Sequence, residues 1–186
     1  MLVHLPSSAL QLLKEAAPGT KRVGLMISTI NASSPRWYQT FETVARTFSI
    51  EPVAAPFKDR ADIEGIIKML SSKPNSALIV AGDSVVETPA TRRQIIDLVA
   101  THRLPTVYGI LQFAYDGGLI SYGVDQVDPY PRAASYIDRI LKGEKPGELP
   151  VQQARKFNFV VNLKTARALG LDLSPTFVGT ADEVIE

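Results

Sequence analysis

An α/β fold with a doubly wound parallel sheet is predicted by three features of this 186-residue sequence. Five apolar runs of strand length alternate with stretches whose apolar residues recur at helical spacing. The most apolar of these runs are near-continuous, as expected of strands covered on both faces. The connections are short, and the loops that follow the runs are polar or glycine-bearing. Strict βα alternation of this kind implies right-handed crossovers.

The elements follow in order. Ser8 to Ala17 predicts a helix with an apolar stripe of Leu10, Leu12, Leu13 and Ala16, ended by Pro18-Gly19. Arg22–Ser28 is a near-continuous apolar run and predicts a buried strand. The loop Thr29–Ser34 leads to Pro35, a good first helical residue after a serine cap. Trp37, Tyr38, Phe41, Val44, Ala45 and Phe48 then recur at helical spacing and read as core. Pro52–Ala55 predicts a short strand, and Arg60–Leu70 a helix packing Ile63, Ile66, Ile67 and Leu70. Ser76–Ala81 predicts a strand, Thr88–Thr101 a helix, Pro105–Tyr108 a strand, and Gly117-Gly118 a turn into Leu119–Tyr122. The rhythm then changes. Tyr130, Ala133, Ala134, Ile137, Ile140 and Leu141 mark one more amphipathic helix, closed by Gly143. A Pro/Gly/charged link, Glu144–Pro150, precedes a strand at Phe157–Val161 and a short helix at Asn162–Leu169.

Composition narrows the function classes. Hydrophobic residues make up 45%, enough for a buried core, and the formal net charge is only +1. No basic stripe or aromatic-basic interleaving suggests a nucleic-acid partner. No apolar run approaches the ~20 residues that span a bilayer. The sequence has no cysteine, which excludes disulfides and thiolate metal sites. His4 and His102 stand far apart and make no metal site by spacing; His102 ends a helix, where a cation suits the dipole. No cofactor is implied, since the loop after the first strand lacks the glycines of a phosphate cradle. The Met1–Ser8 start has neither a basic n-region nor a sustained apolar h-region, so it is not read as a signal peptide.

In an open α/β sheet, ligands bind outside the carboxyl ends of the strands. That rule nominates four loops: Ser28–Ser34, Gly82-Asp83-Ser84, Gly109–Phe113 and Tyr122–Asp125. Ser33 and Ser34, at a helix N-terminus with free backbone N–H groups, could hold a carboxylate or phosphate, or Ser34 could simply cap its helix. Asp83 could pair with a ligand ammonium, or close an Asx-type turn. Gly82-Asp83-Ser84 also invites comparison with the Gly-Asp-Ser block of lipase-like hydrolases. That block belongs at a first strand, and neither histidine has the context of a catalytic base. Tyr108, Phe113 and Tyr122 are placed nearer the cleft rim, where aromatic rings stack on a flat ligand or else pack in the core. Gln112 and Asp125 complete the candidate set through their loops.

Taken in order, several runs resemble one family. Leu12–Val23 is similar to the entry to the second lobe of ABC-transporter substrate-binding proteins, the group that includes tryptophan- and tyrosine-type receptors. His102–Gly109, the Gly-Gly-Leu-Ile-Ser-Tyr-Gly run of 117–123, Arg139–Gly143 and Phe157–Gly170 continue the match over nearly the whole chain. The resemblance implies a flavodoxin-like lobe of a type I periplasmic binding protein with a C-terminal crossover helix and strand. It divides the chain into a second-lobe α/β sandwich (1–125), a crossover helix and linker that normally pack on the first lobe (126–150), and a return strand and helix (151–186). The export signal and first lobe, about one domain in size, would then lie outside this stretch. The full-length protein is expected to be periplasmic or otherwise extracytoplasmic, whereas a free-standing chain would be cytoplasmic.

The same resemblance assigns solute contacts to Ser28, Thr29, Asn31 and Ser34, and places Asp83 opposite a ligand ammonium. The first loop lacks the usual Asn-Pro-type start, so the solute, an amino acid or another small polar molecule, stays open. The expected partners are that solute and an ABC permease. A second copy of the chain is also expected, docked through the Tyr130–Leu141 stripe, which would otherwise face water. Two alternatives remain beside solute binding: an extracytoplasmic sensor domain of a signalling protein, and a flavodoxin-like enzyme, for which the sequence offers no base, metal or phosphate loop.

Overall fold

The computed structural model describes residues 4–125, 127–152 and 156–186. A single seven-stranded sheet organises the chain. Its strands are β1 (Arg22–Ser28), β2 (Glu51–Phe57), β3 (Ser76–Val80), β4 (Thr106–Tyr108), β5 (Ile120–Val124), β6 (Phe157–Asn162) and β7 (Glu183–Ile185), in the spatial order β2-β1-β3-β4-β5-β6-β7. Strands β1 to β5 are parallel; β6 runs antiparallel to β5 and parallel to β7. The parallel α/β frame is as the sequence predicts. The reversal at β6 is the new element, and it follows from the long excursion between β5 and β6. That excursion brings the chain back into the sheet at the same end of the strands from which it left.

Helices cover both faces. On one lie α1 (His4–Ala16) and α2 (Ser34–Thr47), with the later α7 (Leu163–Leu169) and α8 (Pro175–Val178). Leu10, Leu13, Leu25, Ile27, Phe41, Ile79, Val107, Ile120, Phe159, Val161 and Phe177 form its core. On the other lie α3 (Asp62–Ser71), α4 (Pro89–Thr101) and α5 (Gln112–Tyr115), packed over Met26, Phe57, Ile63, Ile67, Leu70, Leu78, Val80, Ile95, Tyr108 and Phe113. Successive residues of β1 and β3 alternate between the two cores, which explains why these strands read as unbroken apolar runs.

Several boundaries differ from the sequence reading for identifiable reasons. α1 begins at His4 rather than Ser8, because Pro6 falls in the first turn, where its missing N–H costs no hydrogen bond. β2 extends over both Pro52 and Pro56. It is the edge strand, and proline is tolerated where no further strand needs the N–H. α5, α8 and β7 are too short to carry a periodic signal. At Gly123 an added Cβ would lie 2.4 Å from the Gly109 carbonyl oxygen, so the two backbones approach too closely for any side chain there.

α6 (Pro129–Leu141) follows the predicted span, but it stands apart from both layers, with no buried residue. It is held locally. Asp128 pairs with Arg132, Asp138 with Lys142, and Arg139 with Glu144 beyond the helix end. The Tyr136 hydroxyl donates to the Pro150 carbonyl, and the Arg139 guanidinium lies over the Tyr136 ring. Its apolar stripe faces outward, with Tyr130 71%, Ile137 58% and Leu141 81% exposed.

Candidate solute site

The strand order reverses at β1, which has β2 on one side and β3 on the other. A crevice is expected outside the carboxyl ends of β1 and β3. Two adjoining cavities occupy this region. The first, about 160 Å³, is the more polar of the two and is bounded by Ser28, Asn31, Ser33, Ser34 and Asp83 together with Ile27, Trp37, Ala81 and Gly82. The second, about 220 Å³, is apolar. Its walls come from Leu25, Ile79 and Val107 of the sheet, Pro6 and Ala9 of α1, and Tyr122 and Val124 of β5. Trp37, Ala81 and Gly82 border both.

The polar loop is built from its own side chains. The Ser34 hydroxyl, buried, donates to the Ser28 carbonyl and ties the start of α2 to the end of β1. The Asn31 carboxamide oxygen accepts from the Ser33 amide at 3.0 Å and the Ser33 hydroxyl at 2.7 Å, closing an Asx turn. The Thr29 hydroxyl donates to the Phe57 carbonyl, and the Ser28 hydroxyl accepts from the Ile30 amide.

These bonds correct the expectation of an anion cradle. The amides of Ile30, Ser33 and Ser34 are all spent within the loop. Ser34 does not cap α2 with its side chain; Ser33 occupies the N-cap position without a capping bond. What remains for a solute is the Asn31 amide nitrogen, the Ser28 hydroxyl hydrogen and Asp83. One Asp83 carboxylate oxygen accepts from the Val85 amide at 2.9 Å, so the Asx-type turn is real. The other oxygen has no hydrogen-bond partner among the described residues, and Asp83 borders the polar cavity half-buried. A lone carboxylate among hydroxyls and a carboxamide suits an ammonium or a hydroxyl donor.

Five other candidates have different surroundings. Tyr108 and Phe113 are not at the rim: both are fully buried, their rings stacked with centroids 4.3 Å apart in the core on the far face of the sheet. Only the strand segment at Tyr108 borders the apolar cavity. Gln112 donates to Asp116 at 2.9 Å on the exposed side of α5, and Ser84 is exposed; neither borders these two cavities. Asp125 is buried and satisfied internally. It accepts from Lys156 Nζ at 2.9 Å and from the amides of Val127 and Asp128. The Lys156 hydrogen bond first, and then the backbone donors, hold its carboxyl at a pKa of about 2.

Tyr122 alone among the proposed aromatics faces the apolar cavity. The residue that periodicity misassigned is Trp37, half-buried at the junction of the two cavities. Its helical spacing with Phe41 pointed to the core. Its place in the first turn of α2, beside the polar loop, is the signal that pointed to the site.

The chain belongs to the ABC transporter substrate binding protein family, whose model matches residues 5–185. Among curated relatives, a tyrosine-binding protein of Clostridioides difficile is 22% identical over 163 residues, covering 87% of this chain and 46% of that protein. Two solved structures match with a TM-score of 0.86 and 22% identity, each covering 97% of this chain and 60% of the other. One is a conserved domain protein of Vibrio cholerae; the other is the ABC domain from Streptococcus pneumonia in complex with L-Trp. The chain thus spans about half the length of the curated relative and three-fifths of these structures. They establish the type I periplasmic-binding-protein-like fold. No helix among the described residues is long and apolar enough to cross a membrane.

Proposed function

We propose that this chain supplies one wall of a solute-binding site and acts by binding, without chemistry, as a component of an ABC importer. The observation that carries the reading is the junction of a polar and an apolar cavity at the carboxyl ends of β1 and β3, with Trp37 common to both. An amphipathic solute fits this pair. Its ammonium would meet the unpaired Asp83 oxygen, its other polar groups would meet Asn31 and Ser28, and its apolar part would enter between Leu25, Ile79 and Tyr122. Relatives named for tyrosine binding or solved with L-Trp support an amino acid as that solute. The importer role brings an ABC permease as partner and an extracytoplasmic location.

The arm is read as a docking element. Residues 127–150 leave the sheet and carry an uncovered stripe of Tyr130, Ala133, Ala134, Ile137, Ile140 and Leu141. Ala133 and Ala134 at its centre permit close approach of a second helix. We infer that a second copy of the chain covers it through α6, since each buried Ile or Leu contributes roughly 1.5–3 kcal/mol.

Trp37 is the only tryptophan, so intrinsic fluorescence reports directly on the site. L-tyrosine and L-leucine are to be titrated against the chain, with L-tryptophan followed by calorimetry. The expected result is saturable binding of at least one. Asp83→Asn is expected to weaken it about tenfold or more, the loss of one charged hydrogen bond of roughly 1.5–3 kcal/mol. Binding unchanged by Asp83→Asn would remove the ammonium assignment.

A further inference from the structure

We infer that Phe157, outside both cavities, determines the specificity of the apolar one by holding the Tyr122 ring as a flat wall. The inference rests on the reading of that cavity as the seat of a solute's apolar part. Tyr122 is the one aromatic of β5 that borders it. Its ring lies nearly parallel to that of Phe157, with centroids 5.7 Å apart and an interplanar angle of 9°. In the antiparallel β5–β6 register Tyr122 faces Phe159 and Val124 faces Phe157, so Phe157 reaches Tyr122 diagonally on the same face of the sheet. Phe159 cannot serve instead, because its ring is engaged edge-on with Phe177 at 5.5 Å.

The backbone beside Phe157 is anchored through Lys156. Lys156 receives the Asp125 amide on its carbonyl at 3.0 Å and returns its ammonium to the Asp125 carboxylate at 2.9 Å. Asp125 lies one residue beyond Val124, at the point where the chain departs toward α6. The orientation of the flat wall is therefore set at the β5–β6 pairing, beside the point where the chain departs toward α6, by a residue that does not itself line the cavity. A planar apolar group stacks against such a wall; a branched aliphatic group gains nothing from its flatness. The prediction is a preference for flat over branched apolar groups that depends on Phe157.

The test uses two neutral probes, indole and 3-methylbutan-1-ol, titrated by NMR against the full chain and its F157L and F157Y variants. Tyr122 is followed by 3-fluorotyrosine labelling, assigned through Y122F. Thermal melts check that each variant is folded. F157L is expected to shift and broaden the Tyr122 resonance. It should weaken indole roughly three- to tenfold, the magnitude of one lost aromatic pair, and leave the alcohol within about twofold of wild type. F157Y is expected to restore indole binding. An unmoved Tyr122 resonance in F157L overturns the inference, as does equal weakening of both probes. If Tyr122 moves but wild type binds neither probe, the specificity role falls together with the cavity reading. Saturable amino-acid binding reported by Trp37 would then show whether the polar half of the proposed site survives alone.

Discussion

The sheet body and the α6 arm both carry amphipathic helices, yet one is packed and the other is bare. In α1 the stripe of Ala9, Leu10, Leu13 and Ala16 is buried against α2, β4 and β5. In α6 the corresponding stripe has no covering layer, and the helix is maintained by ion pairs along its own surface. Amphipathicity therefore marks a face that wants a partner, and says nothing about where the partner is. Such pairs stabilise an isolated helix by only a few tenths of a kcal/mol each, so the arm on its own sits at the low-stability end of the molecule.

The largest contrast is in stability. Phe41→Ala, within the core between α1, α2 and β1, is expected to cost about 3–5 kcal/mol in urea denaturation. Ile137→Ala in the arm is expected to stay within about 0.5 kcal/mol for the monomer. Comparable losses at both positions would mean that the arm is packed in solution, and would sharpen the search for what covers it.

A second contrast is assembly. Replacing both Ile137 and Leu141 by Asp is expected to leave the melting transition of the monomer in place and abolish self-association in sedimentation at micromolar concentration. A clean wild-type monomer at that concentration would remove the second-copy reading.

The smallest effect concerns the clasp between the two regions. Asp125 has a folded-state pKa of about 2, below the ordinary value near 3.9 of an unfolded chain. A depressed carboxyl stabilises the fold above its unfolded pKa, and that contribution disappears as pH falls through the folded pKa. Amide exchange in residues 127–141, corrected for intrinsic rates, should therefore quicken relative to the body between about pH 4 and pH 2. Asp125→Asn should show the faster exchange already at neutral pH and lose the pH dependence.

Much of the body was legible because its signals are local. The buried runs of β1 and β3, the periodic apolar stripes of the helices between them and the turn glycines all act within a few residues, and they predict a parallel frame with loops at its carboxyl ends. Asp83 and the Ser28–Ser34 loop were legible as site candidates for the same reason, since topology alone places them there. The roles of individual side chains were less accessible. Tyr108 and Tyr122 both end runs predicted as strands and look alike in sequence. Residues of opposite parity along adjacent strands face opposite sides of the sheet, so one ring joins the core with Phe113 and the other borders the apolar cavity.

By itself, then, the sequence determined the α/β frame, the order of its longer elements through β5, the α6 stripe and the loops where a solute could sit, because hydrophobic periodicity and turn chemistry are encoded residue by residue. Only the tertiary structure decided that β6 returns antiparallel, that Asp125 is spent on Lys156 and that the amides of the first loop are consumed within it. It also decided that Trp37 stands between two cavities and that Phe157 backs Tyr122. Each of these depends on which groups, distant in the chain, reach one another first and satisfy their hydrogen bonds or bury their faces there.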